Sequence, residues 1–136
     1  MVEILQPPQW EKPRGYSHGL AAAGKVVCIA GQVGWNAAEQ FKTDDFVGQA
    51  RQALANIVTV LAEAGGRPEH ILRLTWFVTS KEDYLADRKA LGEAYRAVMG
   101  AHYPAMTAVQ VLALMPKRAK VEIEAMAVVP LRASPE

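Results

Sequence analysis

The sequence predicts an α+β fold in the order strand, strand, helix, strand, helix, strand, strand, with two helices covering one face of the sheet. Two amphipathic stretches predict the helices. Val47, Ala50, Leu54, Ile57, Val58 and Leu61 recur at helical spacing, as do Leu85, Leu91, Tyr95, Val98 and Met99. Short apolar or alternating runs predict the strands, most clearly at residues 26–30 and 121–126. Two helices cover only one face of such a sheet. The other face needs a partner, and self-association is the simplest way to bury it.

Residues 1–14 are rich in proline and polar groups and read as an irregular arm. Residues 16–20 and 25–30 read as two strands of a hairpin turning at Ala23-Gly24. The unbroken apolar run Val26-Val27-Cys28-Ile29-Ala30 predicts a strand buried on both faces, with Cys28 in the core. Residues 31–42 leave the sheet as a loop. Thr43 or Asp44 can cap the first helix, and the acids at 44 and 45 suit its positive end. Gly65-Gly66 ends it. After a short turn at Pro68-Glu69-His70, residues 72–79 read as a strand with Leu72, Leu74, Trp76 and Val78 on one face. Ser80 caps the second helix, Arg88 interrupts its apolar stripe, and Gly100 closes it. Residues 106–112 and 119–129 complete the sheet as a hairpin turning at Met115-Pro116-Lys117-Arg118. No strong repeat or linker divides the chain, so residues 1–136 read as one domain.

A chain of 136 residues buries a core without disulfides or metal. Its single cysteine excludes an internal disulfide and suits a reducing compartment. The first residues carry no basic segment followed by an apolar run, and nothing approaches the ~18 uninterrupted apolar residues of a membrane span. The expectation is a cytoplasmic protein. The formal net charge of +1 gives no electrostatic case for nucleic acid or an anionic membrane. Trp10, Trp35 and Trp76 do not alternate with basic residues and read as core or interface fillers.

Most familiar catalytic motifs are absent. His18, His70 and His102 have no metal-ligand spacing, so no metal is expected. Two stretches stand out. Val121-Glu122-Ile123-Glu124-Ala125-Met126 alternates strictly, so Glu122 and Glu124 share a strand face, either solvated or functional. Arg14-Gly15-Tyr16-Ser17-His18-Gly19, if extended, puts Arg14, Tyr16 and His18 on one face, either as a surface edge or as a polar site.

Five segments, in order, carry a family resemblance. Gly15-Tyr16-Ser17-His18-Gly19 is similar to Gly-Pro-Tyr-Ser-Gln, and Ala30-Gly31-Gln32-Val33 to Ser-Gly-Gln-Ile/Val. Residues 49–57 resemble a Gln-x-x-x-x-Leu-x-Asn helix, and Tyr103-Pro104-Ala105 the Phe/Tyr-Pro-Ala before an active-site strand. Leu114-Met115-Pro116 with residues 121–125 resembles a closing hairpin. From about residue 16 to 129 the chain thus resembles the RidA/YjgF family of reactive-intermediate deaminases. The resemblance implies a chorismate-mutase-like fold and a homotrimer with small-molecule clefts between subunits. It also implies hydrolysis of 2-imino or 2-enamino acids, such as 2-aminoacrylate, to 2-oxo acids and ammonia, without a cofactor.

The family's carboxylate-clamping arginine is Met106 here, and its frequent Cys or Ser two residues later is Ala108. A methionine cannot make the charge-assisted, bidentate bonds of a guanidinium. Tyr16, Glu122 and Gly31 match family motif positions, with Tyr16 and Glu122 at the cleft, where Glu122 would orient or deprotonate a water. His18 stands where the family often has Gln. Either His18 or Arg14 takes over from the missing arginine, or Met106 and Ala108 mark a cleft for less polar ligands. Three functions remain open at this level: altered imine or enamine hydrolysis, non-catalytic metabolite binding, and RNA cleavage or translation inhibition, against which the charge balance speaks.

Overall fold

The computed structural model describes residues 2–131, so Met1 of the expected arm and residues 132–136 of the expected domain lie outside the described residues. The elements are β1 (Glu3–Leu5), β2 (Gly19–Ala21), β3 (Lys25–Val33), α1 (Phe46–Ala62), β4 (Ile71–Val78), α2 (Lys81–Ala86), α3 (Arg88–Met99), β5 (Ala105–Gln110) and β6 (Val121–Val129). A four-stranded sheet runs in the order β3-β6-β4-β5, and β1 pairs with β2 in a small separate sheet. The α+β class and the one-sided helical cover are as the sequence predicts. Leu74, Trp76 and Val78 of β4 and Val121, Ile123, Ala125 and Ala127 of β6 point to the helices. They meet Ala50, Ala53, Leu54, Ile57 and Leu61 of α1 and Tyr95 and Met99 of α3 in one core. At roughly 1.5–3 kcal/mol for each large side chain fully buried, this core is the main source of stability.

Several local expectations are corrected. The second helix is two, because Asp87 leaves helical geometry and its carboxylate accepts from Ala90 N, capping α3. The arm at 1–14 is not wholly irregular, since Glu3–Leu5 pairs antiparallel with β2. That pairing replaces the expected hairpin of β2 with β3, whose partner is β6. The closing strands form no hairpin either. β5 lies parallel to β4, and β4 separates it from β6. Parallel neighbours need a crossover connection, usually a helix, and the chain makes it through α2 and α3. β3 is buried on one face only, and Cys28 is exposed on the other, opposite Met126. A register irregularity between Ile71 and Arg73 turns Ile71, not Leu72, fully into the core. The cap of α1 is Asp45, whose carboxylate accepts from Gly48 N at 2.8 Å, while Thr43 Oγ1 accepts from Asp45 N.

One buried polar side chain ties the layers together. Gln49 of α1 is wholly buried. Its Nε2 donates to Thr43 O and Arg118 O, both at 3.1 Å, and its Oε1 accepts from Lys120 N at 2.8 Å. Gly34 makes room for this contact, since a Cβ there would stand 2.6 Å from the Gln49 Cα. Two turns further along α1, Asn56 Nδ2 donates to Val33 O and Trp35 O. Truncation of Gln49 leaves three part-buried backbone groups without their partner, each costing up to about 1–3 kcal/mol where water cannot replace it. Gln49→Ala is expected to lower unfolding stability by roughly 2–4 kcal/mol after partial relaxation. Urea unfolding at fixed protein concentration measures this, and a change below about 1 kcal/mol would mean that water replaces the amide.

Candidate active site

The crossover through α3 leaves a hollow at the β5 edge of the sheet. Ser17 anchors one side of it: its Oγ donates to Tyr103 O at 2.6 Å and its N to Pro104 O at 3.0 Å. This holds Arg14, Gly15 and Tyr16 against the start of β5. Trp76 of β4 and Met106 and Ala108 of β5 supply the sheet side, and Tyr84 and α3 close the other. The resulting cavity is about 440 Å³, within the ~300–1,000 Å³ of small-molecule sites.

Four of the residues expected at the site meet here: Arg14, Tyr16, Met106 and Ala108. His18 stands just outside, edge-on to Tyr16 at 5.5 Å and to Trp10 at 5.0 Å between ring centroids. It shares a shallow surface hollow with Arg14 and Tyr16 rather than lining the cavity. Glu122 and Gly31 are elsewhere. Strict alternation sends Val121 and Ile123 into the core and Glu122 to the open face. There Glu122 stands opposite Val33 and Phe77 on the flanking strands. Gly31 lies in the irregular stretch of β3, where a Cβ would stand 2.0 Å from Glu122 Oε2. Glu122 is therefore not beside Met106 within one chain: the two sit on opposite faces, with β4 between their strands.

The cavity offers hydrogen-bond donors and cations but no carboxylate or imidazole among its lining residues. Burial holds the Tyr84 phenol above the usual tyrosine range, opposed by the positive charge of Arg88. Tyr95 is raised further, by burial first and by Tyr103 second, and its hydroxyl donates to His102 O. Both phenols stay protonated at neutral pH. Among the described residues no cluster of His, Cys, Asp and Glu could hold a metal ion.

Residues 10–129 match the family described as Endoribonuclease L-PSP. The 2-iminobutanoate/2-iminopropanoate deaminase of Salmonella typhimurium is 35% identical over 105 residues, which are 77% of this chain and 80% of that protein. The chain belongs to the RidA/YjgF family. Its structural relatives include a Rid-family protein of unknown function, YyfB of Yersinia pestis, with a TM-score of 0.83 at 30% identity over 94% of this chain and 98% of that one. RidA of an Antarctic Psychrobacter has a TM-score of 0.66 at 29% identity, covering 93% and 99%.

Against this RidA/YjgF frame, the sequence reading passed over Arg88 and Arg96, which line the cavity from α3. A signal for one was present, because Arg88 breaks an apolar stripe. Its meaning depended on the fold that puts α3 beside β5. The electrostatics make one expectation concrete. Arg88 lowers the Tyr84 pKa, so removing that charge must raise it. Arg88→Met is expected to shift the Tyr84 phenolate transition to higher pH, read as the difference in alkaline absorbance titration between each protein and its Tyr84→Phe counterpart. An unmoved transition would show that the two groups do not interact.

Proposed function

We propose that this RidA/YjgF protein hydrolyses an imine or enamine of a 2-oxo acid, in clefts that neighbouring copies complete within a homotrimer. One observation carries the reading. The cavity holds Tyr16, a family cleft residue, yet has no base of its own, while Glu122 lies in the space that Gly31 leaves on the face that the helices leave uncovered. A head-to-tail arrangement would bring the open face of one copy against the β5 edge of the next, and such unlike patches close into a ring. Leu112 and Met115, wholly exposed in the β5–β6 connection, suit that packing. The imine-deaminase relatives support the chemical class.

In this mechanism Glu122 of the partner subunit takes a proton from a water as the oxygen adds to the C=N carbon. The nitrogen gains protons and departs as ammonia, leaving the 2-oxo acid. No cofactor is invoked. Tyr16 hydrogen-bonds the substrate. Non-catalytic metabolite binding is the second reading, and Met106 in place of a clamping arginine favours it. RNA cleavage finds no support in a net charge of +1.

Three outcomes are expected. Turnover of 2-aminoacrylate should fall more than about a hundredfold below that of arginine-bearing relatives, since one lost charged contact commonly costs ~2–5 kcal/mol. An assay coupling imine formation to oxo-acid release decides it, and comparable turnover would refute the role assigned to Met106. Light scattering should give a mass of about three times 14.8 kDa, and a stable monomer would contradict the shared cleft. Glu122→Gln should abolish turnover or specific binding while keeping the trimer, and unchanged function would return Glu122 to a structural role.

A further inference from the structure

Met106 removes a guanidinium from β5, yet the cavity beside it is ringed by guanidinium groups. Arg14, Arg88 and Arg96 all line it. Among the described residues none of the three side chains forms an ion pair: the two salt bridges there are Arg67–Glu69 and Arg118–Asp44. Arg88 is the first residue of α3, in a first turn without acidic residues. The helix dipole disfavours a cation at that end, so helix stability does not account for it.

Arg88, Gly92 and Arg96 follow one another at a spacing of four and share a face of α3. All three line the cavity. At Gly92 a Cβ would stand 3.2 Å from Arg96 Nη1, so the Arg96 guanidinium folds back over the bare helix towards the N-terminal end. A mid-helix glycine costs about 1 kcal/mol against alanine. Two like charges are thus drawn along one face with no acidic residue among those lining the cavity, an arrangement that an anion between them would relieve. The sheet wall is apolar, with Trp76 and Met106, and Leu91 adds an apolar contact from α3. The buried side-chain nitrogen found without a hydrogen-bond partner among the described residues, Trp76 Nε1, belongs to that wall.

We infer that Arg88 and Arg96 form the carboxylate receptor of this cavity. The substrate is an organic acid larger than a three-carbon imino acid, with an aromatic or extended apolar body lying along Trp76, Leu91 and Met106. Moving the cation from strand to helix moves the carboxylate across the cavity, and the about 440 Å³ of space is filled by the longer body. The inference rests on the proposed imine chemistry for the reacting group only, because the receptor is defined by binding.

The test uses stable 2-oxo acids, the products of such a hydrolysis, in isothermal titration calorimetry on the intact protein. Phenylpyruvate is compared with pyruvate, which lacks the apolar body, and with phenylacetone, which lacks the carboxylate. Phenylpyruvate is expected to bind at least about tenfold more tightly than either. Arg88→Met and Arg96→Met should each weaken it by about tenfold or more, with Arg88→Lys recovering part of the loss and the mass in solution unchanged. Phenylpyruvate binding that is absent, matched by phenylacetone, or unaffected by both methionine variants would overturn the inference. So would weakening that appears only together with loss of the oligomer, since the arginines would then be pairing across subunits. Tight, arginine-dependent binding without any imine turnover would uphold the receptor and remove the proposed hydrolysis.

Discussion

Strand β6 sets the constraint on which the rest of the structure depends. It is paired on both edges, with β3 and with β4, so its register cannot slip without breaking two ladders. A one-residue slip would turn Val121, Ile123, Ala125 and Ala127 out of the core and Glu122 into it. Burial of the first set and the cost of burying an unpaired carboxylate therefore fix the same register. That register holds Glu122 on the open face, and the irregular stretch at Gly31 leaves space for its carboxylate to lie against β3. The Gln49 hydrogen bonds then fasten α1 and the loop ahead of β6 to this frame.

The cavity follows from the other edge. Because β5 returns parallel to β4 through α3, the helix and the strand diverge at the sheet margin, and side chains rather than backbone fill the gap. The break at Asp87 separates α2 from α3 and starts the second helix at Arg88. Had one helix run on from Lys81, its axis would have carried residue 88 mid-helix, without the change of direction at Asp87. Ser17 holds the arm segment to the strand from the opposite side. Two independent anchors, one local cap and one long-range pair of hydrogen bonds, thus shape the mouth.

Substitution at position 106 changes the electrostatics of the cavity less than the sequence alone suggests. An arginine on a strand stands roughly perpendicular to the sheet, whereas an arginine on a helix face lies along the helix and reaches the cavity from the other side. The same charge delivered from α3 selects by distance as well as by sign. A methionine in the former position adds flexible apolar contact, which fits a ligand with a larger body.

The sequence by itself determined the elements and the class. Periodicity located both long helices and the core faces of β4 and β6, since burial on one side writes a period of 3.6 or 2 into the chain. Motif order pointed to the family, and Tyr16, Met106, Ala108 and Arg14 were legible as neighbours of one site. Only the tertiary structure decided strand order, because a parallel crossover and a hairpin can present the same apolar runs. It likewise split the expected site, sending Glu122 to the face opposite Met106, since alternation fixes which residues share a face but not which face meets the cavity. Arg88 and Arg96 came into view last. A cation on a helix gains its meaning from what packs opposite, and that depends on contacts between residues far apart in the chain.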